Sequence, residues 1–72
     1  MSSIMAREFL ELLDTQGEVR DQLYISAPAN ADELRAFASQ KGYFFEIEDL
    51  RAAAEAFPNR ALVDQLNTIL EA

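Results

Sequence analysis

Apolar side chains along this chain recur at three- and four-residue intervals, the spacing that lines one face of an α-helix. Five such patterns can be drawn. The first covers residues 4–13, with Ser3 placed as its cap, Met5, Phe9, Leu12 and Leu13 on one stripe, and Arg7, Glu8 and Glu11 facing away. Asp14-Thr15-Gln16-Gly17 interrupts it, and Thr15 followed by Glu18 has the spacing of a capping box. The second covers residues 16–25, with Val19 and Leu23 inward. It stops at Ser26-Ala27-Pro28-Ala29, because proline disfavours helical backbone at the residue before it. The third covers residues 31–41, opened by Asn30 and Glu33 at the box spacing, with Leu34, Phe37 and Ala38 on one face.

The stretch Lys41-Gly42-Tyr43-Phe44-Phe45-Glu46-Ile47-Glu48-Asp49-Leu50 is the hinge around which these patterns are arranged. Gly42 falls at the position just past a helix end, where the backbone turns left-handed and glycine has no steric penalty. With Glu46 as the next N-cap, Phe45 and Leu50 take the hydrophobic-staple positions on either side of it. Glu48 and Asp49 then lie in a first turn, where the helix dipole favours negative charge. The fourth pattern, residues 47–56, has Ile47, Leu50, Ala54 and Phe57 on one stripe. After Phe57-Pro58-Asn59, with Asn59 as cap, a fifth places Leu62, Val63, Leu66, Ile69 and Leu70 on one side. That stripe either folds back on its own bundle or pairs with a second copy. The first is favoured because it completes an undersized core. The expected fold is all-α: a compact bundle of four short helices in residues 1–57, plus a C-terminal amphipathic helix in residues 58–72 packing on it.

Seventy-two residues allow one domain, which buries about 60% of the surface its unfolded chain exposes. Half the residues are hydrophobic, too many for a disordered chain despite a net charge of -7. Neither Cys nor His occurs, which removes disulfides, thiolate and imidazole metal sites and the usual nucleophile–base pairs. Glu46, Glu48 and Asp49 lack the ligand loop and turn glycine of a calcium site, and helix-start electrostatics account for them. The expectation is therefore no enzyme, no cofactor and no metal. Thirteen acidic against six basic residues argue against nucleic acid and for a basic partner surface. No apolar run approaches a membrane span, and Met1-Ser2-Ser3-Ile4-Met5-Ala6-Arg7 lacks the regions of a secretory signal, so a cytoplasmic protein with no membrane association is expected.

Phe9-Leu10-x-x-Leu13, Glu18-Val19-Arg20-x-x-Leu23, Asn30-Ala31-x-Glu33-Leu34, Ala38-x-x-x-Gly42-Tyr43-x-Phe45 and Glu48-Asp49-Leu50 follow one another at spacings that resemble the nif-eleven-type domain over residues 3–57. This is a nitrogen-fixation-associated, leader-peptide-like family of cyanobacteria and other bacteria. The resemblance implies one of two roles. Many members are N-terminal leaders of ribosomally made, post-translationally modified peptides, bound by a modifying enzyme and cut after a double-glycine-like site. Others stand alone, some encoded near nitrogen-fixation genes. The only glycines here are Gly17 and Gly42, no Cys is present, and residues 58–72 read as a helix rather than a core peptide, so the double-glycine and core functions transfer to no residue. Glu46 also stands where the family commonly has Thr or Ser.

Gly42, Tyr43, Phe45 and Leu50 are accordingly read as structural hinge residues. Phe44 sits where the family pattern is usually polar and has no structural role derivable from spacing. With Glu46 and Glu48 it forms the candidate partner contact. The expected function is a small non-enzymatic, cytoplasmic protein-binding module like the stand-alone members, with a leader-like precursor recognised by a peptide-modifying enzyme as the alternative. The expected assembly is a monomer, or a weak homodimer through the C-terminal helix.

Overall fold

A computed structural model describes residues 3–72; the sequence reading of Met1 and Ser2 lies outside them. Among the described residues the chain forms five helices and no strand. They are α1 (Ser3–Thr15), α2 (Gly17–Ser26), α3 (Ala31–Gln40), α4 (Ile47–Ala56) and α5 (Arg60–Leu70). α1 packs most extensively on α4 and to a lesser degree on α2, while α3 packs on α5 and α4. The result spans 26 × 23 × 22 Å.

One apolar core joins all five helices, and the stripes of α3, α4 and α5 supply it as their spacing predicts. Leu34, Phe37 and Ala38, then Leu50 and Ala54, then Leu62, Val63, Leu66 and Leu70 are all buried, with Ile47 and Ile69 at the edges. α1 departs from expectation. Its buried residues are Ala6, Phe9, Leu10 and Leu13, while Met5 and Leu12 are only partly covered. The reason is that α1 is flanked by both α2 and α4, so its covered face is centred between them rather than on the Met5–Leu12 stripe. Phe9 is the hub of the aromatic cluster. Its ring centroid lies 5.6 Å from Phe45, 6.0 Å from Tyr43 and 6.3 Å from Phe37, the last pair edge-to-face at 61°. Such ring pairs add about 0.5–1.5 kcal/mol each beyond area burial.

The helix ends show which local signals prevail. Asn30 Oδ1 accepts from the Glu33 N–H (3.0 Å), but Glu33 Oε1 reaches one residue further back than a capping box, to the Ala29 N–H (2.8 Å). Asn59 caps α5 as expected, accepting from the Leu62 N–H at 3.3 Å. The Thr15–Glu18 box does not form. α1 continues through Thr15, whose hydroxyl donates back to the Glu11 carbonyl (2.8 Å), and Gln16 takes the N-cap of α2. Ser3, placed as a cap, is instead already within α1. α2 ends on Ala27, which is left-handed at φ 48° directly before Pro28 and donates to the Leu23 carbonyl.

None of the five helices carries a basic residue in its last turn, yet the C-terminal carbonyls of three are met by arginines from elsewhere. Arg20 of α2 donates to Leu13 O and Asp14 O of α1 (3.2 and 3.3 Å). Arg51 of α4 donates to Leu70 O of α5 (2.9 Å), and Arg60 of α5 donates to Ala54 O and Phe57 O at the end of α4 (2.9 and 3.1 Å). Each guanidinium satisfies orphan carbonyls and opposes the negative end of a helix dipole.

Removing the hub ring tests this architecture. Phe9→Ala should cost about 3–5 kcal/mol in urea unfolding, since it leaves a cavity facing three aromatic rings. Retention of wild-type stability would show that the cluster does not hold α1 in place.

Candidate functional site

The hinge between α3 and α4 is built by two interlocking backbone devices. Gly42 adopts φ +92°, its N–H donates to Ser39 O (3.0 Å) and the Tyr43 N–H donates to Ala38 O (2.9 Å). These two bonds make a Schellman motif, which closes α3 on its last free carbonyls. No atom lies within 4 Å of a Cβ built at Gly42, so the glycine is required by backbone angle alone and not by crowding. Four residues later Glu46 is the N-cap of α4, and its N–H donates to Asp49 Oδ2 (3.1 Å). Asp49 thus acts as the returning half of a capping box, a role that the E-x-x-D spacing carries but that dipole reasoning alone does not reveal.

Between these devices three aromatic rings diverge. Phe45 is buried and Tyr43 is half-buried, both against Phe9. Phe45 and Leu50, the two staple positions, lie in the same core. Phe44 points away and is 59% exposed, while its backbone N–H donates to Met5 Sδ of α1 at 3.4 Å. The corner is therefore held from both helices and from α1, yet the Phe44 ring is held by none of them.

Around this ring lies a shallow cleft of about 180 Å³, lined by Arg35, Ser39 and Glu46 together with the three aromatics. Arg35 Nη1 donates to Glu46 Oε1 across it at 3.2 Å, bridging α3 to the start of α4. Both partners are largely exposed, so the pair positions charge rather than adding much stability. Of the candidate contacts, Phe44 and Glu46 share this cleft. Glu48 is exposed on the first turn of α4 and does not line it. Arg35 and Ser39 were not singled out from sequence, because only the return of α4 beside α3 brings them to Phe44.

Exposed large apolar side chains also occur at Ile4, Tyr24 and Ile25. Ile25 follows the buried Leu23 by two positions, about 200° around the helix, so its outward direction was readable from spacing. The Tyr24 hydroxyl is occupied by Gln65 of α5. Among the described residues no three acidic side chains converge into a group that could hold a metal ion. No described helix is long and apolar enough to cross a membrane.

A five-helix domain with an aromatic corner and an outward ring is, in class, a small all-α bundle. The Nif11 domain family model matches residues 1–50, and the chain belongs to that family. No curated protein and no solved structure matches it. The match takes in α1, α2, α3, the hinge and the first turn of α4, and ends at Leu50; the rest of α4 and all of α5 lie beyond it.

The corner yields a paired prediction. Phe44→Ser should change unfolding free energy by less than about 0.5 kcal/mol, as expected for an exposed side chain. Phe45→Ala, one residue away, should lose about 3–5 kcal/mol. Gly42→Val should lose about 1–2 kcal/mol through the left-handed backbone, with Gly42→Asn losing less. Chemical denaturation of the four variants side by side checks the order.

Proposed function

We propose that this Nif11-family protein is a non-enzymatic module that binds another protein in the cytoplasm, in the manner expected of stand-alone members associated with nitrogen fixation. The observation that carries the reading is the Phe44 ring, 59% exposed on a corner whose backbone is fixed on both sides. A rigid exposed aromatic loses little conformational entropy when covered, which is why such rings serve as interface anchors. Glu46 in the cleft and Glu48, exposed on the first turn of α4, favour a partner surface with Lys or Arg around an apolar pocket.

The charge inventory supports the same partner. Of the six basic side chains, Arg20, Arg51 and Arg60 are spent on helix carbonyls, Lys41 lies 5.5 Å over the Phe37 ring, and Arg35 alone pairs with a carboxylate in the contacts above. Thirteen acidic residues against six basic ones give a net charge of -7, and this field steers a basic surface toward the module. The α5 stripe is buried in the chain's own core, which supports a monomer.

The second reading is a leader-like precursor, favoured by family membership and by a match that ends at Leu50, leaving α5 outside it. In that reading a peptide-modifying enzyme is the partner. Against it stands the burial of Leu62, Val63, Leu66 and Leu70, which cleavage after Phe57 would strip from the core.

Two measurements separate these readings. A photo-crosslinking phenylalanine analogue at position 44 should trap one protein in the source cell, while the same analogue at exposed Glu55 should not. Equal trapping at both positions, or none at either, would sink the binding-module reading. Intact mass of the native protein should equal that of the whole chain; a species ending near Phe57 would establish the leader reading instead.

A further inference from the structure

α1 reaches the backbone of the hinge through a sulfur atom. Met5 lies at the rim of the core, partly covered, between exposed Ile4 and fully buried Ala6. Its Sδ accepts the Phe44 N–H at 3.4 Å, across 39 positions of sequence. The other backbone bonds of the corner stay within it: the Gly42 N–H donates to Ser39, the Tyr43 N–H to Ala38 and the Glu46 N–H to Asp49. Among the described residues the Phe44 N–H has this sulfur as its hydrogen-bond partner. A thioether is a weak acceptor. The tie from α1 to the residue that carries the outward ring is therefore the most easily lost bond of the corner.

Met5 is also the one sulfur among the described residues. The chain has no Cys, and its only other Met is Met1. A peroxide therefore meets a single oxidisable thioether in the bundle, and one that is partly open to solvent. The chemistry needs no catalytic side chain. A sulfur lone pair attacks one peroxide oxygen, an S–O bond forms and the O–O bond breaks. The departing hydroxide takes the remaining proton and leaves as water. Sulfur loses two electrons and the peroxide gains them.

The sulfoxide does not fit the existing contact. An N···S separation of 3.4 Å has no room for an oxygen between the two atoms. Oxygen added on the other lone pair leaves the sulfur positively polarised toward the N–H, which repels a donor. The new S–O dipole is also drawn out of the core rim into water.

We propose that the Met5 thioether is an oxidation site, and that its conversion to the sulfoxide by a peroxide releases the Phe44 backbone from α1. The internal bonds at Gly42, Tyr43 and Glu46 stay in place, so the change is confined to Phe44 and the first turns of α1. Oxidation then alters how the Phe44 ring is presented to a partner; that consequence rests on the binding reading, while the site itself does not.

Hydrogen peroxide treatment of the folded full chain, followed by peptide mass mapping and NMR amide exchange, tests this. Mapping should place one added oxygen on Met5. Exchange at the Phe44 amide should rise about threefold or more, while the Leu10, Leu50 and Leu66 amides hold. Methionine sulfoxide reductase should restore the slow rate. Met5→Leu keeps the apolar bulk and removes the acceptor. Its Phe44 amide should exchange fast from the start and not respond to peroxide, which also sets aside Met1 as the source. A Met5 that stays unoxidised in the folded chain, an unchanged Phe44 amide in the sulfoxide, or a rise spread over the core amides would each overturn the proposal. None of these readouts needs a partner, so the binding reading stands or falls separately.

Discussion

The packing of Phe9 against three rings from the second half of the fold is the contact on which the rest depends. Phe9 lies in the middle of the buried face of α1, between Ala6 and Leu13. Phe37 meets it from α3, and Tyr43 and Phe45 meet it from the hinge. The hinge in turn is aimed by that contact, since the Schellman turn at Gly42 and the cap at Glu46 specify a corner but not what lies under it. A chain with two glycines, no disulfide and no metal ligand of the imidazole or thiolate kind gains its uniqueness from this cross-bracing.

The arginines form a second, quieter layer of organisation. A helix with no cation in its own last turn leaves its carbonyl end exposed to competition from water. Here the next element in space supplies the guanidinium: Arg20 to α1, Arg51 to α5, Arg60 to α4. These bonds tie helices pairwise, so they contribute to tertiary angle as well as to helix length. They do not set the charge of the surface. The field comes from the excess of acids, thirteen against six bases, and the guanidiniums at the helix ends keep their charge while they hold the carbonyls.

What could be read from the chain beforehand divides along the range of the interaction. α4, the caps at Asn30 and Asn59 and the turn at Gly42 follow from rules within one helix or one turn, and they appear where spacing puts them. The Thr15–Glu18 box failed because two local rules competed. Thr15 bonded its own helix, and α1 ran on. The inward face of α1 was displaced because burial there is decided by α2 and α4 together, which a single helical wheel does not contain. For the same reason Arg35 and Ser39 beside Phe44 were not legible. Each needs residues far apart in sequence to be brought together by the finished fold.

The pairing of α1 with α4 also sets an order of events during synthesis. As the chain leaves the ribosome, α1 emerges first with Phe9, Leu10 and Leu13 bare, and the rings that cover Phe9 have not yet been made. α2 offers only Leu23 as a fully buried residue and makes poor shelter. The bundle therefore cannot condense in stages from its N-terminus; it waits until the hinge and α4 are outside the exit tunnel, and α5 then closes over α3. For a domain this small the wait is brief, but throughout it the apolar residues of the α1 segment are open to solvent. Any factor that meets the protein at that moment encounters a different surface from the one the folded molecule presents.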